Sequence, residues 1–179
     1  MDIYNFKFTN LDSEVFAYLC RRVCDLMSQR DIALALGVSP TAVANVVQRL
    51  HSAQIVQLQK LKTINLISLN RESREVLYLK RVENLRILYA SGLVAYLETQ
   101  FAGSTIIVFG SFSRGEDTSE SDIDIAIIER KPKQVDFLQF EPKILRKIHL
   151  NTYNNWNEIP IQLKNNILNG IVLAGSIEL

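Results

Sequence analysis

The sequence lacks a hydrophobic run long enough to span a membrane, and its first ten residues, MDIYNFKFTN, are too polar for a secretory signal. We therefore expect a cytoplasmic protein with no membrane partner.

Only two cysteines occur among the 179 residues. Cys20 and Cys24 lie four residues apart, on one face of a predicted helix, and no second pair of ligands follows nearby. We expect buried, reduced thiols and not a zinc site.

The sequence also lacks a strong excess of charge of either sign: 20 Lys and Arg stand against 19 Asp and Glu. Residues 1–70 hold seven basic and five acidic side chains, and residues 71–179 hold thirteen and fourteen. Any nucleic-acid binding by the first part must therefore come from a local patch. Repeats and low-complexity segments are absent, and 47% hydrophobic residues suffice for one or two small cores.

The segment SQRDIALALGVSPTAVANVVQRLHSA predicts two helices joined by a tight turn. Ser28 is a suitable N-cap with Asp31 in the first turn, and Gly37 is suited to end the first helix. Ser39 and Pro40 are suited to begin the second helix. An apolar stripe then repeats at helical spacing: Val43, Val46, Val47 and Leu50. Helix, glycine turn and helix form the helix-turn-helix pattern.

The next segment, IVQLQKLKTINLISLN, predicts two strands around a basic turn. Together with the helices before it, this order resembles a winged helix-turn-helix domain, which we place at residues 1–70. The resemblance implies a recognition helix over residues 40–51. It also implies DNA contacts from outward-facing residues of that helix and from the wing: Thr41, Asn45, Gln48, Arg49, Lys60 and Lys62. A solvated helix face that contacts other proteins is the alternative.

Residues 72–101 contain good helix formers at helical spacing, with a break predicted near Ser91 and Gly92. We assign residues 71–87 to a linker helix and residues 88–179 to a second domain. The linker has apolar positions that are candidates for a dimer face: Val76, Leu79, Val82, Leu85 and Leu88.

The segment VFGSFSRGEDTSESDIDIAII carries the candidate chemistry. Gly110 lets a strand end in a sharp turn, and Ser111 begins a short helix whose N–H groups favour phosphate. Arg114 adds a cation for the same anion. Asp122 and Asp124 lie two positions apart in a second strand and therefore share a face. Neighbouring carboxylates repel, so at least one pKa should rise, and Mg²⁺ held jointly with substrate phosphates removes that cost.

The order GS, then RG, then SDID resembles the signature of the DNA polymerase β-like nucleotidyltransferase superfamily. Within it, the chain is similar to archaeal-type minimal nucleotidyltransferases, and LKNNILNGIVLAG is similar to the tail of that group. The resemblance implies an α+β domain with a small mixed sheet. It also implies transfer of a nucleoside monophosphate from an NTP, with ATP expected, to a hydroxyl at a two-Mg²⁺ site. Gly110, Ser111 and Arg114 would hold the triphosphate, and Asp122 and Asp124 the metals.

The next strand departs from the family. Its members usually carry a third carboxylate there, whereas KIHLNTY places His149 at this position. A histidine can bind a metal or act as a base near neutral pH, and an inactive site is the alternative. Asp136 and Glu141, on a loop and a helix, are the nearby acids that would replace the third carboxylate if the fold brings either to the site; for Glu141 we expect instead a solvated or helix-capping role.

Two functions remain open on the sequence. The first is an enzyme that modifies a protein or a nucleic-acid end while bound to DNA. A protein acceptor is credible because some minimal nucleotidyltransferases are antitoxins that adenylylate a ribonuclease toxin. The second is a DNA-binding regulator whose second domain binds a nucleotide without catalysis or serves dimerisation. In either case a homodimer is expected, by analogy with winged-helix proteins that read two half-sites.

Overall fold

The structure is a computed structural model that describes residues 3–61 and 64–178. Lys62, one of the predicted wing contacts, lies outside the described residues. The chain divides into two compact units, residues 1–80 and residues 81–179. The division falls inside a single helix, α4 (Arg74–Ala90), which also contains most of the segment predicted to be a linker.

The described part of the first unit contains three complete α-helices, the first turns of α4 and a small sheet. The helices are α1 (Asn10–Arg21), α2 (Gln29–Leu36) and α3 (Pro40–Ser52). The strands β1 (Met27–Ser28), β2 (Val56–Leu61) and β3 (Ile64–Leu69) form an antiparallel sheet in the order β1-β3-β2. The predicted strand pair after α3 is therefore present as a hairpin.

Local capping explains where α2 and α3 begin and end. The Ser28 hydroxyl accepts a hydrogen bond from the Asp31 N–H (3.2 Å), and the Asp31 carboxylate accepts one from the Ser28 N–H (3.0 Å). Gly37 ends α2 in the left-handed conformation (φ 66°). Ser39 caps α3, and Pro40 lies in its first turn. The predicted caps and the turn are confirmed.

The first core forms where α1, α2, α3 and the hairpin meet. All four residues of the predicted α3 stripe are buried there, together with Ile67 and Leu69 from β3. At the other end of the hairpin, Leu61 and Ile64 are about half exposed, so the described part of the hairpin tip is apolar.

The two cysteines have different surroundings. Cys20 is buried in the first core, whereas Cys24 is exposed and accepts a hydrogen bond from Arg71 Nη1 (3.2 Å). The prediction that both are buried is therefore wrong for Cys24. Helix α1 ends at Arg21, and Cys24 follows with a positive φ of 73°, so the four-residue spacing does not place it on the same face. Cys20 and Cys24 are not joined by a disulfide.

The second unit is built on a four-stranded mixed sheet. Its strands are β4 (Thr105–Phe109), β5 (Ile123–Ile128), β6 (Ile148–Tyr153) and β7 (Ile171–Ala174), in the order β6-β5-β4-β7. Strand β4 is antiparallel to β5 and β7, and β5 is parallel to β6. The helices are α5 (Leu93–Gln100), α6 (Gly110–Arg114), α7 (Glu141–Ile144) and α8 (Ile161–Leu168). The mixed sheet and the α+β class confirm the prediction.

The central strands are buried on both faces. Ile106 and Val108 of β4 join one apolar cluster with α5, while Ile107 and Phe109 join a second cluster with Ile167 of α8. This two-sided burial explains why STIIVFG and IDIAII read as nearly continuous apolar runs. Polar side chains such as Asp122 and Asp124 lie at one end of these central strands, where they are partly exposed.

Helix α4 ends near the predicted break, and Gly92 (φ 83°) precedes α5. The five apolar residues proposed as a dimer face do not lie on one exposed face: Val76 and Leu88 are buried, whereas Val82 is largely exposed. Positions repeated every three residues move around a helix of 3.6 residues per turn, which explains the difference.

No single described helix is long and apolar enough to cross a membrane. Helices α2 and α3 are long and apolar enough only when taken together, and the turn between them bends the pair by 116°.

Candidate active site

The ends of β4 and β5 bring the two halves of the GS and DID pattern together. These strands are antiparallel, and Phe109 pairs with Asp124, so Gly110 follows β4 directly beside Asp124. A Cβ on Gly110 would lie 2.8 Å from Asp124 Oδ2. Gly110 also has a φ of 77°, which other residues adopt only with strain. The backbone conformation therefore favours glycine here, and a larger residue would displace the Asp124 carboxylate.

The two aspartates influence each other electrostatically, as expected from their spacing. Asp122 precedes β5 by one residue and Asp124 lies within the strand, and both side chains are partly exposed. Burial is the main cause that raises the pKa of Asp124; His149 lowers it, and the neighbouring Asp122 raises it. The predicted rise in one carboxyl pKa is therefore present, and a bound cation would relieve it.

His149 lies beside the aspartates, on the strand that neighbours them. In the parallel β5–β6 pair it is the register partner of Asp124. Its Nε2 lies 3.6 Å from Asp122 Oδ2, and the imidazole is 62% exposed. The predicted location is confirmed, while the role of His149 as a metal ligand or base stays a prediction.

The donor set fits Mg²⁺ carried in with a nucleotide. Within residues 3–61 and 64–178, no three His, Cys, Asp or Glu side chains converge as a ready metal cluster. Mg²⁺ is commonly held by one or two carboxylates, with the remaining positions filled by substrate phosphates and water. Asp122 and Asp124 supply such hard oxygen ligands, so the site fits a metal–triphosphate complex better than a metal held by protein alone.

The two other nearby acids have structural partners. Glu141 Oε1 accepts a hydrogen bond from the Ile148 N–H (2.9 Å), which caps the start of β6. Glu141 also lines a cleft of about 580 Å³ together with Asp122 and His149. Asp136 is engaged in its own loop, where its carboxylate accepts a hydrogen bond from the Leu138 N–H (2.9 Å).

The remaining predicted phosphate contacts, Ser111 and Arg114, both lie on α6. Ser111 is partly exposed, and its carbonyl accepts a hydrogen bond from the Glu116 N–H (3.0 Å). Arg114 Nε donates to Glu116 Oε2 (2.7 Å), and both side chains are about half exposed. An exposed ion pair of this kind contributes little free energy, so little stability is lost when Arg114 leaves Glu116 to contact a bound anion.

In the first unit, α3 exposes Thr41, Asn45, Gln48 and Arg49, as predicted, and Lys60 is exposed on β2. Asn45, Gln48 and Arg49 line a cleft of about 420 Å³.

Arg49 has a partner that sequence reasoning did not identify. Its Nη2 lies 2.5 Å from Oδ1 of Asp12, whose side chain is fully buried. Burial opposes ionisation of Asp12, but hydrogen bonds from Thr9 and Arg49 outweigh it and lower the pKa of this carboxyl. Asp12 lies 37 residues away along the chain, so no local pattern could have revealed this pair.

Comparison with known proteins identifies the second unit. Residues 92–178, just under half of the chain, match the family model for Polymerase beta, Nucleotidyltransferase. This part is therefore a nucleotidyltransferase-family domain, as its sequence signature predicted. The archaeal type and the winged helix-turn-helix stay predictions.

No curated protein matches the chain. Among solved structures, a mutant of Lactococcus lactis ZitR is similar, with 16% identity and a TM-score of 0.42. The match covers 55% of this chain and 65% of the ZitR chain.

Proposed function

We propose that this chain is a Mg²⁺-dependent nucleotidyltransferase that moves a nucleoside monophosphate from an NTP, with ATP expected, to a hydroxyl of a protein or nucleic acid. We also propose that its first unit binds DNA. The observation that carries the enzymatic proposal is the contact between Gly110 and Asp124, because a Cβ on Gly110 would lie 2.8 Å from Asp124 Oδ2. This contact brings the proposed triphosphate turn against the proposed metal ligands.

The reaction assigns a role to each residue around that contact. Gly110 and Ser111 would hold the triphosphate, with Arg114 as a further cation, and Asp122 and Asp124 would hold the metal. When bound, Mg²⁺ supplies positive charge that stabilises the triphosphate and the leaving pyrophosphate. The acceptor oxygen forms a bond to the α-phosphorus, and the bond from that phosphorus to the bridging oxygen of the leaving pyrophosphate breaks. His149, partly exposed and close to Asp122, is the candidate to accept the proton of the hydroxyl.

DNA binding is supported by the geometry of the first unit. Helix α3 follows a capped turn, is buried along its apolar stripe and exposes polar side chains suited to base edges and phosphates. Lys60, and Lys62 by sequence, would contact phosphate from the wing. We further propose that two copies pair to read two half-sites.

A second candidate function is a DNA-binding regulator with a non-catalytic second domain. The observation that favours it is the register of β5 and β6, which places His149, and no carboxylate, beside Asp124. This reading predicts intact DNA binding and no nucleotide transfer.

Label transfer from each α-labelled NTP to RNA ends and to cellular protein tests the enzymatic proposal. We expect Mg²⁺-dependent labelling by the wild type, and none by the Asp122→Asn/Asp124→Asn double variant. Asp136→Asn is the control, because this carboxylate is engaged in its own loop. Labelling that survives in the double variant would show that Asp122 and Asp124 are not the metal ligands of the reaction. Absence of labelling by the wild type with every NTP would favour the regulator.

A further inference from the structure

A buried polar cluster lies at the root of the loop that carries Asp122. Its centre is Asp117, a fully buried carboxylate between α6 and β5. Asp117 Oδ1 accepts a hydrogen bond from Asn84 Nδ2 (2.7 Å), and Oδ2 accepts one from Arg146 Nη2 (3.3 Å). Asn84 and Arg146 are themselves buried. Three polar side chains from distant parts of the second unit therefore meet inside it.

Asn84 connects this cluster to the glycine turn. Its Nδ2 donates to the Phe112 carbonyl (2.9 Å) as well as to Asp117. Phe112 belongs to α6, the short helix that begins at Gly110 and contains Ser111. A single amide group on α4 thus holds α6 and the following loop in a fixed relation to each other.

Arg146 connects the cluster to the strand that carries His149. It lies three residues before His149, and its guanidinium also donates to the Leu145 carbonyl (2.8 Å). The carbonyl of the next residue, Lys147, accepts a hydrogen bond from the Ile123 N–H (2.9 Å), next to Asp122. The start of β6 is therefore tied both to Asp117 and to the start of β5.

Local hydrogen bonds shape the rest of the loop. The Glu116 N–H donates to the Ser111 carbonyl (3.0 Å), and the Thr118 N–H donates to Ser121 Oγ (2.9 Å). These contacts span only a few residues each. The side-chain bonds of Asp117, by contrast, join the loop to elements distant in sequence.

Stability alone is a weak reason for such a cluster. Desolvation of a buried ion pair offsets much of its attraction, and apolar residues of the same volume often stabilise a fold equally well. Directed hydrogen bonds do fix the relative positions of the segments that they join, which apolar contacts do less well. Apart from α4, the segments joined here carry residues of the candidate site.

We propose that Asp117, together with Asn84 and Arg146, is a positioning residue for the nucleotide site. The cluster holds the Asp122 loop and the start of β6 in place against the Gly110 turn, so that the metal–triphosphate site is formed before the nucleotide arrives. This inference rests on the proposed function, because the site it preorganises is the proposed Mg²⁺–NTP site.

Calorimetric binding of Mg²⁺ with a non-hydrolysable ATP analogue tests the inference in four variants. Asp117→Asn and Asn84→Ala should weaken binding about 10- to 100-fold, as is typical when a residue that orients metal ligands is lost. Arg146→Lys keeps the charge but not the planar fork, and it should show a smaller loss. Thr105→Val is the matched control, because this buried threonine donates to the Ser176 carbonyl at the other end of β4. It should bind as the wild type does.

Hydrogen exchange supplies a readout that does not depend on the nucleotide. In folded Asp117→Asn, the amides of Glu116 and Ile123 should exchange faster than in the wild type, while amides of β7 are unchanged. If Asp117→Asn does not fold, Asn84→Ala and Arg146→Lys decide the question.

Two negative outcomes are distinguishable. Wild-type affinity in the folded cluster variants would overturn the inference and leave the proposed function standing. Absence of binding by the wild type would overturn the proposed function and the inference with it.

Discussion

Replacing Gly110 by alanine should separate backbone strain from damage to the site. Gly110 has a φ of 77°, and an L-residue in this region costs about 1–2 kcal/mol. The new Cβ would also lie 2.8 Å from Asp124 Oδ2, well inside ordinary van der Waals contact. The carboxylate sits at the end of a flexible side chain and can relieve the overlap by moving roughly half an ångström or more. A displacement of about 1 Å can cost on the order of 100-fold in a reaction that depends on alignment.

Gly92 provides the matched control within the same unit. Its φ is 83°, and a Cβ there would meet no atom within 4 Å. We expect Gly110→Ala and Gly92→Ala to lose similar free energies of unfolding in urea, about 1–2 kcal/mol each. Only Gly110→Ala should lose Mg²⁺–ATP affinity, by about 10- to 100-fold in calorimetry. Equal and undiminished affinity in both variants would refute the claim that a Cβ on Gly110 displaces the Asp124 carboxylate from its binding position.

Three further predictions concern individual side chains. Asp12→Asn should cost the protein about 1–3 kcal/mol at neutral pH, because it removes the buried charge that pairs with Arg49 and weakens the hydrogen bonds that this side chain accepts from Thr9. The folded pKa of Asp12 lies below its usual value of 3.8, so the ionised carboxylate stabilises the fold fully above pH 3.8 and loses this effect as the pH falls through the lower, folded pKa. In urea unfolding experiments, the free energy of unfolding of the wild type should therefore fall in acid by more than that of the variant. Asp124→Asn should raise the Tm at pH 7, because burial raises the folded pKa of Asp124 and its ionised form therefore destabilises the fold. Well below pH 3.8 the carboxyl is neutral in both states, and the variant should have no higher Tm than the wild type. An unchanged Tm at pH 7 would contradict this. Asn45→Ala or Gln48→Ala should weaken binding to a selected DNA site by about 1–3 kcal/mol per lost base contact, measured by fluorescence anisotropy at fixed salt; equal loss on random DNA would indicate phosphate contacts instead.

Features set by neighbouring residues could be predicted from the sequence. Ser28, Gly37 and Ser39 act on backbone groups a few positions away, so the ends of α2 and α3 follow from composition and spacing. The sequence also placed the GS and DID motifs at the ends of two strands, but the antiparallel pairing of β4 and β5 did not follow from it, because residues 110–122, which include α6, also allow a parallel crossover. The place of His149 followed from its position in the next strand.

Features that depend on tertiary packing could not be predicted from the sequence. The pair of Asp12 with Arg49 and the pair of Asp117 with Arg146 join residues 37 and 29 positions apart. A charged residue that will be buried looks the same in a sequence as one that stays in water. The exposure of Cys24 depends on where α1 stops, and helix ends are set by caps and packing as well as by periodicity.

The most direct test of the central claim is calorimetric titration of the wild type and the Asp122→Asn/Asp124→Asn variant with ATP, with and without Mg²⁺. The claim that these aspartates and the Gly110 turn form a metal–triphosphate site predicts Mg²⁺-dependent binding by the wild type and none by the variant. Equal binding by both proteins, or the same wild-type affinity without Mg²⁺, would contradict it.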